Sequence, residues 1–281
     1  MIATTYTLDW LQADRPQPMY DRAVNRLYRK IFAENPGEND QLNEVFKQKF
    51  MAWLRADELN SLRGYDGDFA LDICIGCTHY IDDLYQTVGR DRLMIFAHDY
   101  KYHWRLNNDI RYTTVDTLTP GKELLIAMPF PFFGDKHPQM DLILQRCLEL
   151  KIPVHIDGAW LGSSRDIDFD FSHPAIRSFA ISLSKAMGIG GNRIGMRFTR
   201  ERTPGPITIM NDFNMNCQSL VHIGSNFIDH FGANYFWKKY GDAYAKICHD
   251  FELKPTKAIH LALAEKGPVG LRPLLRFLND R

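Results

Sequence analysis

The chain from Phe179 to Arg197 reads Phe-Ala-Ile-Ser-Leu-Ser-Lys-Ala-Met-Gly-Ile-Gly-Gly-Asn-Arg-Ile-Gly-Met-Arg. An apolar run is followed by the serines Ser182 and Ser184 and then by a single lysine, Lys185. Glycines at 188, 190 and 191 follow, and after Arg193 an alternating segment resumes. This pattern predicts a strand end, a glycine turn and a returning strand. Because glycine lets the backbone double back, the lysine and the arginine can face one ligand.

The residue types in this stretch indicate a particular ligand chemistry. Hydroxyl groups and an arginine together bind phosphate well. A partly desolvated lysine beside another cation has a lowered pKa and becomes a nucleophile toward carbonyls. A phosphate-bearing aldehyde satisfies all three groups, and pyridoxal phosphate is such an aldehyde. On its own, Ser-x-Ser-Lys is more typical of a solvated loop residue beside a glycine turn, so a second stretch has to support the interpretation.

That second stretch, residues 153–162, reads Pro-Val-His-Ile-Asp-Gly-Ala-Trp-Leu-Gly. Val154 and Ile156 alternate with His155 and Asp157, which predicts a strand ending on Asp157. Sheets of α/β proteins bind ligands at the carboxyl ends of their strands. A carboxylate there can keep the pyridine nitrogen of the cofactor protonated, which makes the ring an electron sink.

The sequence Asp157-Gly-Ala-Trp160, followed by Ser182-Leu-Ser-Lys185 and Arg193, resembles the fold-type I pyridoxal-phosphate enzymes, the aspartate aminotransferase superfamily (aminotransferase class I/II). The resemblance implies pyridoxal 5'-phosphate held as a Schiff base on Lys185, which then serves as the proton-transfer base. It implies an amino acid substrate, a 2-oxo acid acceptor and a homodimer. Transamination is the default reaction of the family, and lyase, decarboxylase, racemase and cyclase outcomes use the same parts.

The resemblance also assigns roles to further residues of this chain. Asp157 protonates the pyridine nitrogen, and Tyr100 stacks on the ring, with Tyr102 as second choice. Arg272 binds the substrate carboxylate, and Arg276 is the second choice for this role. The cofactor phosphate is held by Ser182, Arg193, Cys77 and Thr78.

Two positions depart from the family pattern. Phe130 stands where the family asparagine falls, and Trp160 stands where its tyrosine falls, so both usual partners of the phenolic oxygen of the cofactor are altered. The indole N–H of Trp160 can donate in their place. These departures and a shortened C-terminal segment favour a specialised enzyme of amino acid biosynthesis over one of central metabolism.

Strand patterns alternate with helix patterns through the middle of the chain. Such a succession predicts an α/β three-layer sandwich with a mostly parallel sheet. We expect a large cofactor-binding domain over 46–215, with 1–45 and 216–281 forming a reduced small domain and dimer contacts. Gly76 to His79 is predicted as a turn before a helix that begins at Tyr80, and Gly267 to Leu278 as a final strand.

Composition narrows the class of protein. The 281 residues carry 34 basic and 34 acidic side chains, so no electrostatic footprint for nucleic acid or an anionic membrane is present. The start of the chain has no pattern of a signal peptide, and no apolar run has the length of a membrane span. Five scattered cysteines are typical of a reducing compartment. We therefore expect a cytoplasmic protein.

Two alternatives from other classes stay open. The first is a non-haem iron oxygenase, in which His155 and Asp157 bind iron with His222, His249 or His260 as the third ligand. That class needs a β-rich jelly roll, whereas this sequence interleaves helices with strands. The second is a non-catalytic relative that keeps the fold for binding or assembly.

Overall fold

The computed structural model describes residues 7–9, 17, 19–34, 39 and 41–279, with the backbone alone for 276–279. Its strands, named in chain order, are β1 (Ser61–Arg63), β2 (Ala70–Cys74), β3 (Leu93–Met94), β4 (Glu123–Ala127), β5 (Val154–Gly158), β6 (Asp168–Asp170), β7 (Ile176–Ser182), β8 (Gly195–Thr199), β9 (Lys254–Pro255), β10 (Leu261–Ala264) and β11 (Gly267–Gly270).

The helices of the described residues alternate with these strands through the middle of the chain. They are α1 (Arg22–Phe32), α2 (Leu42–Arg55), α3 (Gly76–Thr87), α4 (Tyr102–Leu106), α5 (Met140–Glu149), α6 (Leu183–Ala186), α7 (Pro206–Asp212), α8 (Gln218–His230), α9 (Tyr235–Asp250) and α10 (Arg272–Asn279). Short 3-10 turns lie at Val115–Thr117 and Leu161–Ser163.

The central sheet has the strand order β2-β8-β7-β5-β4-β3. Strands β7, β5, β4 and β3 pair in parallel, whereas β8 is antiparallel to both of its neighbours. Ala127, Asp157 and Ala180 stand side by side in this register. The carboxyl ends of β4, β5 and β7 therefore meet at one edge of the sheet, where such folds bind ligands.

Side-chain alternation along the strands separates two hydrophobic layers. Leu124 and Ile126 of β4 belong to the larger core cluster, together with the aromatic side chains of α2. Leu125 of β4 and Ala180 of β7 belong to a second cluster, on the face covered by α3. Alternate residues of a strand point to opposite faces, so helices cover both faces of the sheet. The α/β sandwich with a mostly parallel sheet is confirmed.

Helix α3 is fixed to the sheet by a buried ion cluster. The guanidinium of Arg197 on β8 donates from Nη2 to Asp72 of β2 at 2.6 Å and from Nη1 to Asp83 of α3 at 3.0 Å. All three side chains are buried. Because the two carboxylates share one guanidinium, the cluster joins two strands and the helix whose first turn enters the site.

The predicted start of helix α3 is wrong. The helix begins at Gly76 rather than Tyr80, because Gly76 has φ +67 and turns the chain sharply out of β2. Left-handed backbone of this kind favours glycine. Cys77 and Thr78 consequently lie in the first helical turn, where backbone N–H groups have no partner within the helix.

The predicted final strand is also wrong beyond Gly270. Strands β9, β10 and β11 form a small antiparallel sheet, and the chain then enters α10 at Arg272. Pro273 is the second residue of this helix, a place where the missing N–H of proline costs nothing. Arg272 therefore lies at a helix start. Across the described ranges, no helix combines the length and the apolar character needed to span a bilayer.

Candidate active site

The chain reaches the carboxyl edge of the sheet at Ser182, which caps the short helix α6. Ser182 Oγ accepts a hydrogen bond from Ser184 N at 3.1 Å, and Lys185 follows within the same turn. Gly188 then has φ +65, and a Cβ there would lie 2.4 Å from the carbonyl oxygen of Met19. Only glycine fits this turn, and it fixes the direction of the helix that carries the lysine.

Lys185 lies in a partly buried and electropositive position. Burial lowers the pKa of its ammonium group to about 8, and Arg193 and Arg272 add to the effect, while Asp157 opposes it. An amine with such a pKa is deprotonated in an appreciable fraction of molecules near neutral pH, which is the state that attacks carbonyl carbons. The lysine is thus chemically suited to form a covalent bond with an aldehyde.

Asp157 is buried at the end of β5 and faces the same space. Burial raises the pKa of its carboxyl group, and the Ala159 N–H, the Cys77 thiol, Arg193 and Lys185 counteract this rise. The hydrogen bond from Ala159 N to Oδ1 measures 3.0 Å. A carboxylate held in this way binds a protonated heterocyclic nitrogen well, because the ion pair relieves the cost of its burial.

A cradle for an anion lies where α3, β7 and the segment before β8 meet. Arg193 donates from Nη2 to Thr78 Oγ1, while its buried Nε has no partner in the part of the chain that is described. A Cβ on Gly76 would lie 3.1 Å from Ser182 Oγ and 3.3 Å from Arg193 Nε. The bare glycine therefore leaves room beside these donors at the start of a helix, an arrangement that suits phosphate.

Cys77 occupies this region differently from Thr78. Its thiol is buried and donates to the carbonyl oxygen of Ala180 at 3.4 Å, beside Asp157. Burial raises the pKa of the thiol well above its ordinary value. The side chain therefore faces the sheet and Asp157, and it is the backbone of Cys77 that faces the anion cradle with the rest of the first helical turn.

The two tyrosines considered for ring stacking differ in their hydrogen bonds. Burial raises the pKa of Tyr100, and Arg193, Asp157 and a hydrogen bond to Thr78 also act on it. Tyr100 therefore borders the cradle, with 40% of its surface exposed. Tyr102 instead donates its hydroxyl to Asp82 at 2.8 Å. The structure brings Tyr100 to the rim of the site, and the ring of Tyr102 stacks against Tyr100 with 5.8 Å between centroids.

The two residues that depart from the family pattern have unlike surroundings. Phe130 is buried and contacts Phe133 and His137 through its ring. Trp160 meets the ring of His260 edge-on, with 4.4 Å between centroids. His260 is 1% exposed, and its Nε2 has no hydrogen-bond partner among the described residues. From the sequence, His260 is named only as a third iron ligand in the oxygenase alternative. No local pattern around it indicates a contact with Trp160.

Arg272 and Arg276 follow the small sheet. Arg272 begins α10 and is half-buried, and its charge helps to lower the pKa of Lys185, so it lies near the site. The side chain of Arg276 lies outside the described part of the structure. Of the two predicted carboxylate partners, the structure places Arg272 near Lys185.

The iron alternative is not supported by the geometry. His155 Nδ1 contacts Ser178 Oγ at 2.7 Å and Nε2 contacts Glu123 Oε2 at 2.7 Å, so both ring nitrogens are engaged. His222 and His249 lie on the outer helices α8 and α9. Within the described residues, no three His, Cys, Asp or Glu side chains are grouped so as to hold a metal ion. The parallel sheet also differs from the jelly roll that this class requires.

Comparisons with known proteins agree on the fold. No protein-family model matches the sequence, and a search of curated proteins found no match. Solved structures do match. The PLP-bound C-S lyase from Staphylococcus hominis aligns with 92% of this chain and 76% of its own, at 15% identity and a TM-score of 0.61.

Two aminotransferases align in the same way. The histidinol-phosphate aminotransferase from Clostridium acetobutylicum is 12% identical over 89% of this chain and 81% of its own, with a TM-score of 0.59. The tyrosine aminotransferase from Leishmania infantum is 12% identical over 96% of this chain and 91% of its own, with a TM-score of 0.57. The chain therefore has the fold of the fold-type I pyridoxal-phosphate enzymes.

Proposed function

We propose that this protein is a pyridoxal-phosphate-dependent enzyme that acts on an amino acid, with Lys185 as the residue that binds the cofactor covalently. The observation that carries the proposal is the position of Lys185. An amine with a pKa of about 8 lies close enough to the buried carboxylate of Asp157 and to Arg193, which donates to Thr78, for both charges to act on it. Pyridoxal phosphate presents an aldehyde, a basic ring nitrogen and a phosphate, one for each of these three features.

When bound, the cofactor supplies an electron sink that stabilises negative charge at the Cα atom of the substrate. The residues of the chain do the rest. Asp157 keeps a proton on the ring nitrogen, and Arg193, Thr78 and Ser182 hold the phosphate. Lys185 would move the proton at the Cα atom of the substrate, for which its lowered pKa is suitable. Tyr100 covers the ring face at the rim of the site.

We favour an aminotransferase or a specialised biosynthetic relative, with a 2-oxo acid as the acceptor. Arg272 supports an amino acid or a 2-oxo acid as the ligand, because a guanidinium near Lys185 can orient a carboxylate in two-point contact. A lyase, decarboxylase or cyclase reaction on the same parts is the second candidate, and the structural similarity to a C-S lyase favours keeping it. Product analysis separates the two, because a transaminase converts the acceptor into an amino acid whereas a lyase consumes none.

The proposal also covers the domain organisation and the oligomeric state of the protein. Residues 46–215 form the cofactor-binding domain, and 1–45 with 216–281 form the reduced small domain and dimer contacts. We propose a cytoplasmic homodimer with its sites at the subunit interface. Light scattering tests the dimer, and a monomer that retains full turnover would contradict an interface site.

The test of the cofactor proposal is spectroscopic. Purified protein mixed with pyridoxal phosphate is expected to develop a yellow absorbance band that borohydride bleaches. Lys185→Ala should lack the band, whereas Lys30→Ala, at an exposed helical site, should keep it. Amino acids are then screened by the changes they cause in the band. A wild-type protein that stays colourless and takes up no cofactor would refute the proposal.

A further inference from the structure

Asp99 is a buried carboxylate that binds two backbone N–H groups at once. It is 7% exposed, and within the described residues no lysine, arginine or histidine pairs with it. Oδ1 accepts from Tyr100 N at 2.6 Å, and Oδ2 accepts from Ala127 N at 3.0 Å. Burial raises the pKa of the carboxyl group to about 7, and the two N–H groups oppose this rise. A carboxylate buried without an ion pair is costly to the fold, and such groups are concentrated at functional sites.

The contact with Ala127 fills a position that a neighbouring strand would otherwise occupy. Strand β3 is two residues long, and its pairing with β4 ends at Leu124. Strand β4 continues to Ala127, and in the described structure no strand pairs with this end of β4 on the side of β3. A buried N–H without an acceptor costs free energy. Asp99 supplies the acceptor and so attaches its own segment to the edge of the sheet.

The strand residue that Asp99 binds is a direct neighbour of the candidate site. Ala127 stands beside Asp157 of β5 in the register of the two strands. Met128, the next residue of the chain, donates its N–H to the carbonyl oxygen of Asp157 at 2.9 Å. Hydrogen bonds and strand register therefore place Asp99 at the carboxyl edge of the sheet, one strand away from Asp157.

The contact with Tyr100 ties the segment that carries this tyrosine to the same edge. His98 has φ +67, so the chain turns sharply just before Asp99. The two oxygens of one carboxylate then join the N–H of Tyr100 to the N–H of Ala127. The backbone of Tyr100 is thereby fixed relative to β4, while its half-exposed ring borders the site.

We infer that Asp99 is a positioning residue, which holds Tyr100 over the cofactor ring by tying its backbone to β4 beside Asp157. The inference rests on the proposed function, since it requires a bound ring for Tyr100 to cover. A carboxylate suits this role because it offers an acceptor oxygen to each N–H. An amide offers one oxygen and turns its own N–H donors toward the second N–H. Asp99 acts through Tyr100 and touches neither cofactor nor substrate.

A double-mutant cycle on cofactor affinity separates this role from a purely structural one. Absorbance titration with pyridoxal phosphate, at a pH of about 8 where Asp99 is ionised, gives the Kd of wild type, Asp99→Asn, Tyr100→Ala and the double variant. Tyr100→Ala should weaken binding about three- to tenfold, the value of an aromatic contact. Asp99→Asn should weaken it to a similar extent. The double variant should match Tyr100→Ala within about twofold, because no ring is left to position.

The control is Asp170→Asn. Asp170 is exposed on β6, and its carboxylate accepts from Ser172 N at 2.8 Å, so the variant loses a comparable backbone contact away from the site. Its cofactor affinity should equal that of the wild type. Wild-type affinity in Asp99→Asn would overturn the inference. Losses that add in the double variant would also overturn it, because Asp99 would then act independently of Tyr100.

Amide hydrogen exchange of the wild type replaces the cycle should Asp99→Asn fail to fold. If Tyr100 covers the ring, cofactor binding stabilises the anchored backbone of this residue. The N–H of Tyr100 should therefore exchange several-fold more slowly after pyridoxal phosphate is added. Equal exchange rates with and without the cofactor would overturn the inference.

The failure of the inference is distinguishable from the failure of the proposed function. A wild type that takes up no pyridoxal phosphate contradicts both. A wild type that binds the cofactor through Lys185, with an affinity insensitive to Asp99→Asn, contradicts the inference alone.

Discussion

Replacement of Lys185 by methionine should stabilise the cofactor-free protein at neutral pH. The pKa of Lys185 falls from the ordinary 10.5 to about 8 because the ammonium is buried among other cations. The folded state is therefore penalised for holding this charge. Methionine has a similar length and no charge, so Lys185→Met removes the penalty while it preserves most of the packing.

The sign and size follow from proton linkage. Between a pH of about 8 and about 10.5 the unfolded chain binds more protons at this lysine than the folded chain, so the stability of the wild type rises with pH across that window. Below a pH of about 8, the folded state carries the whole cost of burying the ammonium charge of Lys185. At about 1.4 kcal/mol per pKa unit, this cost amounts to about 3 kcal/mol. The advantage of Lys185→Met should therefore be largest near neutrality and should shrink by about 2 kcal/mol toward pH ~10.

Urea unfolding of both proteins, prepared without pyridoxal phosphate, measures this difference at a series of pH values. Subtracting the two curves cancels the titration of all other groups. Lys30→Met, at an exposed helical site, is the matched control for the exchange of lysine by methionine. A flat difference curve for Lys185→Met would refute the desolvation of this lysine, and with it the reason for its reactivity.

Three further changes test the site and its support. Arg193→Lys keeps the positive charge but loses the two parallel N–H donors of the guanidinium. Absorbance titration should therefore show cofactor binding weakened about ten- to hundredfold. The control Arg146→Lys, at an exposed site, should leave cofactor binding unchanged. Asp157→Asn should keep the yellow band but lower turnover about a hundredfold or more, since the amide cannot hold a proton on the ring nitrogen. Normal turnover in this variant would contradict a catalytic role for Asp157. Arg197→Met removes the guanidinium that Asp72 and Asp83 share, which leaves Asp72 with Arg202 and Asp83 with the backbone N–H of Ile207. It should lower the free energy of unfolding by about 3 kcal/mol, against less than about 1 kcal/mol for the exposed ion pair in Arg63→Met. Equal losses would contradict the burial argument.

The sequence alone predicts the class of fold, and it singles out Lys185 as the lysine proposed to bind the cofactor. The alternation of apolar and polar residues at Val154 to Asp157 is a local property, so the strand and its terminal carboxylate could be predicted directly. The glycines after Lys185 likewise indicate a turn, because their conformational freedom is intrinsic. The boundaries of helices are harder to predict from the sequence. The sequence predicts Gly76 as part of a turn, whereas in the structure the helix begins at this residue, whose φ of +67 turns the chain out of the strand.

Tertiary structure decided which side chains meet. The hydroxyl of Tyr102 is bonded to Asp82, a residue on another element. The orientation of the Cys77 thiol depends on how α3 lies on the sheet. The unpaired Nε2 of His260 arises because the small C-terminal sheet brings that residue against Trp160. Contacts between residues far apart in the chain leave no periodic trace in either segment, so their chemistry becomes visible only once the chain is folded.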